Sequence, residues 1–198
     1  MQNSGLLKEL IQSLCCLPGV GRKSAQRMAF HLLQRNRDGG RQLSRVLLQA
    51  MDDIGYCRQC RTLTESDECE VCANPARDQN VLCIVESAAD VWVLDQATHF
   101  NGKYFVLHGR LSPLDGIGPD QLGIALLEQR FAQGLITEVI LATNSTIEGQ
   151  ATANFIGEIA NKFNIRATRI AHGVPMGGEL EFIDSSTLAH AFNDRRAF

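Results

Sequence analysis

Long apolar runs are absent: no stretch of 18 hydrophobic residues occurs in the 198-residue chain, which excludes a membrane-spanning helix. The first residues, MQNSGLLKELIQSL, lack the basic start and following apolar stretch of a secretory signal, so a cytosolic protein is expected. Internal repeats and low-complexity segments are also missing, which sets aside solenoids and disordered linkers. What is present is ordinary globular composition, 44% hydrophobic and 21% charged, with length for one good core or two small ones.

Acidic residues are scarce at one end only. Residues 1–61 carry ten Lys/Arg against four Asp/Glu, a net of +6; residues 62–198 carry nine against eighteen, a net of −9. The total of −3 therefore hides a basic segment on an acidic body, the distribution expected of a nucleic-acid-binding head. A solvated helix face accounts for a few of these charges, but less readily for the whole segregation.

Helical spacing runs through Leu6, Leu7, Leu10, Ile11 and Leu14, then stops at Leu17-Pro18-Gly19-Val20-Gly21. A second helix is predicted from Lys23 to about Arg35, and a third from Leu43 to Met51 after a break at Gly39-Gly40. From Val81 the pattern changes to alternating strands and helices: strands at 81–85, 104–107, 138–142 and 165–170, helices at 88–98, 121–133 and 150–163. Such alternation implies a mainly parallel sheet. Beyond His172 come several glycines, Leu180 to Ile183 and a short helix.

The glycines at 19 and 21 permit a tight turn and close backbone approach to a ligand. The following helix starts at Arg22-Lys23-Ser24, so its free amides and two cations would suit a DNA phosphate, contacted without regard to base sequence. A plain helical corner is the alternative. A nucleotide P-loop is rejected, because Arg22 precedes the Lys and a helix, not a strand, precedes the loop.

Of seven cysteines, Cys57, Cys60, Cys69 and Cys72 fall in two C-x2-C pairs within sixteen residues. That spacing predicts one closed, structural zinc site per chain. An iron–sulfur cluster or four unligated thiols are the alternatives. Cys15, Cys16 and Cys83 stand in apolar contexts and read as core filler.

Glu86 ends the first buried strand, and Asn144 to Glu148 follow the third. In an open sheet of this kind those two strands are neighbours and ligands sit at their carboxyl tips, so Glu86, Asn144, Thr146 and Glu148 should share one crevice. Magnesium-dependent phosphoryl transfer needs several carboxylates; an amide and a hydroxyl at 144 and 146 leave the crevice too poor in charge. A metal-dependent nuclease and a pure protein adaptor are the competing functions.

Several motifs carry a resemblance over essentially the whole chain: LPGVGRKSAQR at 17–27, the four-cysteine spacing, LCIVE at 82–86, LSPLDGIGP at 111–119, ATNSTIEG at 142–149 and HGVPMGGELE at 172–181. In these the chain resembles the RecR family of bacterial recombination mediators. The resemblance implies an α+β multidomain protein: a helix-hairpin-helix head (1–54), a four-cysteine zinc finger (55–78), an α/β Toprim domain (79–172) and a C-terminal oligomerisation segment (173–198). It implies DNA contacts at Gly19, Gly21, Arg22, Lys23 and Arg27, zinc on Cys57, Cys60, Cys69 and Cys72, and no catalytic residue. Toprim enzymes carry Asp-x-Asp-x-Glu-Gly where this chain has Asn144, Thr146 and Glu148. The implied partners are single-stranded, double-stranded or gapped DNA, RecO-like and RecF-like proteins, and further copies of the chain as homotetramer or homodimer. Neither a membrane nor a small-molecule substrate is implied, and the location expected is the nucleoid-associated cytoplasm. Ser145 and Gln150 depart from the Pro and Glu usual in the family, which weakens the acidity of the loop.

Overall fold

The computed structural model describes residues 5–171, 173–175 and 177–193. Two compact units divide between Ile54 and Gly55.

The first unit holds three helices, α1 (Gly5–Leu14), α2 (Arg22–Arg35) and α3 (Arg37–Asp53). Its small core is Ile11 from α1 against Ala25 and Ala29 from α2, with Leu7, Leu10, Leu14, Cys15 and Val20 packed on it. Alanines at 25 and 29, one turn apart, let the two helices approach closely. Helix α3 differs from the expected 43–51: it runs through Gly39-Gly40, because the Asn36 side chain caps it by accepting from Gly39 N–H at 3.0 Å. A good N-cap contributes about 1 kcal/mol, enough to offset much of the glycine penalty in a first turn. None of α3 is buried, and Leu43, Leu47, Leu48 and Met51 project from it as exposed apolar side chains.

The second unit opens with strands β1 (Gly55–Tyr56) and β2 (Leu63–Thr64), paired antiparallel, and the single turn α4 (Glu70–Ala73). A four-stranded sheet follows: β3 (Val81–Val85), β4 (Lys103–Val106), β5 (Glu138–Ala142) and β6 (Arg166–Arg169). Every pairing is parallel and the order is β4-β3-β5-β6. Helices α5 (Ala88–Ala97), α6 (Ile124–Ala132) and α7 (Ile147–Lys162) make the crossovers. A 3-10 turn (Leu180–Phe182) and α8 (Ser185–Asn193) end the described chain. His172, Met176 and 194–198, which fall at or within the expected C-terminal segment, lie outside the described residues. Among the described residues no helix is long and apolar enough to cross a membrane.

Side-chain alternation along β3, β4 and β5 produces two different sheet faces. Leu82, Ile84, Phe105, Leu107, Val139 and Leu141 meet Leu122, Leu127, Phe131 and Ile156 on one face. On the other, Cys83, Val85, Tyr104 and Val106 meet Val91 of α5 and three of the clustered cysteines, Cys57, Cys60 and Cys69. Each large side chain buried in this way contributes about 1.5–3 kcal/mol. The cysteine segment, too short for a core of its own, borrows the sheet's.

The remaining cysteines divide. Cys83 is buried as expected, Cys15 is half-buried, but Cys16 is exposed, because the first helix has already ended and the turn points it outward. Burial pushes the Cys83 thiol up from 9.0 to about 12. A pKa raised in the folded state stabilises fully below pH 9 and loses that contribution as pH rises toward about 12. Iodoacetamide at pH 9 should therefore label Cys16 within minutes and leave Cys83 unlabelled until the chain unfolds; peptide mass mapping of both sites checks this.

Candidate functional site

The joining turn of β1 and β2 carries Cys57 and Cys60, while Cys69 immediately precedes α4 and Cys72 lies within it. The four Sγ atoms all lie within 4.8 Å of one another. Tetrahedral zinc with Zn–S bonds of about 2.3 Å separates its sulfurs by about 3.8 Å, and Cys60 Sγ stands 3.5 Å from Cys69 Sγ. Backbone N–H groups aim at the sulfurs: Cys69 N–H donates to Cys57 Sγ at 3.4 Å and Thr62 N–H to Cys60 Sγ at 3.5 Å. Such donors are what thiolate ligands accept.

Crowding makes the four thiols interdependent. Hydrogen bonds with Cys69 and Cys72, then burial, push the Cys60 thiol far up, while hydrogen bonds from Cys60 and Cys72 pull Cys69 down to about 2. Four crowded, desolvated sulfurs share protons unevenly, and one divalent ion replaces all those protons at once. The donor set is all-sulfur and closed, so zinc here is structural and leaves no open position for water.

The sheet-tip crevice lies at the adjacent ends of β3 and β5. Glu86, 6% exposed, follows β3 and accepts twice from Asn144: N–H to Oε1 and Nδ2 to Oε2, both 2.8 Å. Arg110 Nη1 stands 3.8 Å from Glu86 Oε2. Thr146 uses its hydroxyl to cap α7, accepting from Gly149 N–H at 3.0 Å. That cap starts α7 three residues before the expected 150. Glu148 is half-buried in the first turn of α7, and its backbone carbonyl accepts from Thr152 Oγ1 at 2.7 Å. Gly149 must be glycine: a Cβ there would lie 2.2 Å from the Asn144 carbonyl oxygen and 2.9 Å from Glu86 Oε1. Glu86 and Asn144 thus touch, with Thr146 and Glu148 on the same loop and helix start. Among the described residues, His, Cys, Asp and Glu side chains converge as a metal-holding group only at the four cysteines.

In the first unit, Gly19 sits at φ 75, a backbone conformation a side chain would strain. Gly21 is the extended N-cap of α2, with no side chain capping the helix and no acid in its first turn. Gly19, Gly21, Arg22, Lys23 and Arg27 are all exposed.

Lys103 and Arg130 were invisible to sequence reasoning. Lys103 opens β4 at 6% exposure, and its Nζ donates to the carbonyls of Val71, Cys72 and Asn74, each at 2.9 Å. Arg130 Nη1 donates to Gln59 O at 3.3 Å and Tyr104 O at 3.0 Å.

A helical head, a four-cysteine zinc site and a Toprim-like parallel sheet define a zinc-bearing multidomain α+β protein. Family models match in chain order: the RecR helix-hairpin-helix over 7–51, the RecR four-cysteine zinc finger domain over 54–74, the Toprim domain over 80–171 and the RecR C-terminal region over 173–196. The "Recombination protein RecR" of Methylococcus capsulatus is 55% identical over 198 residues, the full length of both chains. The chain belongs to the RecR family.

Proposed function

We propose that this protein is a non-catalytic, DNA-binding recombination mediator. It acts with RecO-like and RecF-like partners to promote RecA loading on gapped DNA coated with single-strand-binding protein, in the nucleoid-associated cytoplasm. The carrying observation is the uncapped start of α2, where exposed Arg22, Lys23 and Arg27 flank free backbone amides. A helix start of this kind receives a phosphate oxygen, and the backbone geometry at Gly19 and Gly21 lets the strand come close. Contacts of this class position DNA without reading its sequence.

A non-enzymatic role is favoured by the crevice, where Glu86 is engaged by this chain's own amide. The functional division is 1–54 for DNA, 55–78 for zinc, 79–172 for the Toprim body and 173–198 for oligomerisation. Neutral Ser145 and Gln150 soften the loop that a basic partner would otherwise meet.

The double substitution Lys23→Glu and Arg27→Glu should weaken DNA binding at least tenfold and flatten its salt dependence by about two charges. Fluorescence anisotropy across a salt series measures both; an unchanged affinity and slope would rule out the head as the DNA site. Oligomerisation multiplies such weak contacts through effective concentration. The bare apolar stripe of α3 supports association: light scattering should give a multiple of 21.8 kDa, and Leu47→Glu should lower it.

A further inference from the structure

Lys103 poses a charge problem. The residue is 6% exposed, yet its three ammonium donors all go to neutral carbonyls, and no described carboxylate lies within ion-pair distance. Lysine is almost never buried unless paired, because an uncompensated ion in a low-dielectric interior is strongly destabilising. Glu68, the acid lining the same cavity of about 300 Å³, accepts from Gln59 Nε2 at 3.2 Å instead. Arg130 lines that cavity too, together with Cys72, and binds the carbonyl of Gln59 between two zinc ligands.

Cys72, which lines that cavity with both cations, belongs to a larger anionic group: a zinc ion on four thiolates carries a net charge of −2. We propose that Lys103 and Arg130 are the counter-cations of the zinc tetrathiolate, positioning residues through which the body of the protein sets how tightly the metal is held. Their geometry fits that role. Lys103 grips the carbonyls of Val71, Cys72 and Asn74, so its charge is fixed beside the second cysteine pair. Arg130 reaches the first pair through Gln59. Lys103 projects from the head of edge strand β4 and Arg130 from the crossover helix α6. Cys60 O completes the join by accepting from Val106 N–H of β4 at 2.8 Å. The finger is therefore the cover of an otherwise open sheet edge, held there partly by charge.

The test uses the full chain loaded with zinc and titrated with a chromophoric chelator. Lys103→Met and Arg130→Met should each weaken apparent zinc affinity at least tenfold, the size expected of partners just outside the metal's ligands. Arg130→Lys, which keeps the charge, should recover most of the loss. Ile156→Ala, fully buried in α7 on the other face, serves as the control that lowers melting temperature without touching the finger. Equal zinc affinity in Lys103→Met and Ile156→Ala at matched loss of stability would overturn the proposal, as would equal losses in Arg130→Met and Arg130→Lys. Should Lys103→Met not fold, the Arg130 pair decides alone.

Discussion

Cys60→Ser should release the zinc and lower the melting temperature by about 10 °C or more. Three consequences of one residue add together. The sulfur is a metal ligand, and apparent zinc affinities of four-cysteine sites are on the order of 10–16 kcal/mol, although only part of that stabilises the folded state at ordinary metal concentrations. Cys60 is also 1% exposed in the cluster with Val85, Tyr104 and Val106, so a loosened finger uncovers apolar sheet surface. Finally, its carbonyl satisfies Val106 N–H on edge strand β4, and an uncovered edge invites pairing between molecules. A combined cost of about 3–5 kcal/mol corresponds to that shift for a chain of this size. Calorimetry with zinc analysis checks it, and a strong chelator should reproduce the effect in the unaltered protein. A variant retaining one zinc per chain and its melting temperature would remove the finger from the stability of the sheet.

How much of this was legible beforehand depends on whether the cause is local. Two C-x2-C pairs specify a site almost by themselves, because ligand type and spacing are the chemistry. Strands β3 and β5 were equally readable: continuous apolar runs alternating with helices imply a parallel sheet, and the adjacency that brings Glu86 to Asn144 followed from the expected strand order. Two misplaced helix starts share one origin. Asn36 and Thr146 each begin a helix earlier than the apolar pattern does, since a capping side chain acts on backbone amides and leaves no hydrophobic signature. Lys103 was illegible for the opposite reason. Its partners lie about thirty residues upstream, in carbonyls whose identity does not depend on side chains, so nothing in the one-dimensional pattern marks the contact.

Asn144→Asp should destabilise the protein by about 2–4 kcal/mol at neutral pH, and magnesium or mild acid should reverse most of it. The amide Nδ2 now donates to Glu86 Oε2 at 2.8 Å; an aspartate there replaces a donor by a second carboxylate against a 6% exposed acid. The penalty joins a lost charge-assisted hydrogen bond to like-charge repulsion, discounted because Asn144 itself is exposed. Arg110, at 3.8 Å, is too distant to neutralise both acids. Lowering the pH supplies one proton for the pair to share, so the deficit should shrink as the solution is acidified. A divalent cation performs the same neutralisation without a proton, and hard oxygen ligands are what it prefers. Melting temperatures of the variant and the unaltered protein, with chelator or 10 mM magnesium (roughly the range weak oxygen sites require), separate the causes. A deficit indifferent to both magnesium and pH would mean that the loop fails for steric reasons, and that Asn144 does not hold the place of a metal-binding acid. Recovery by magnesium would mean that a single amide separates this crevice from a cation site, whether or not any chemistry follows.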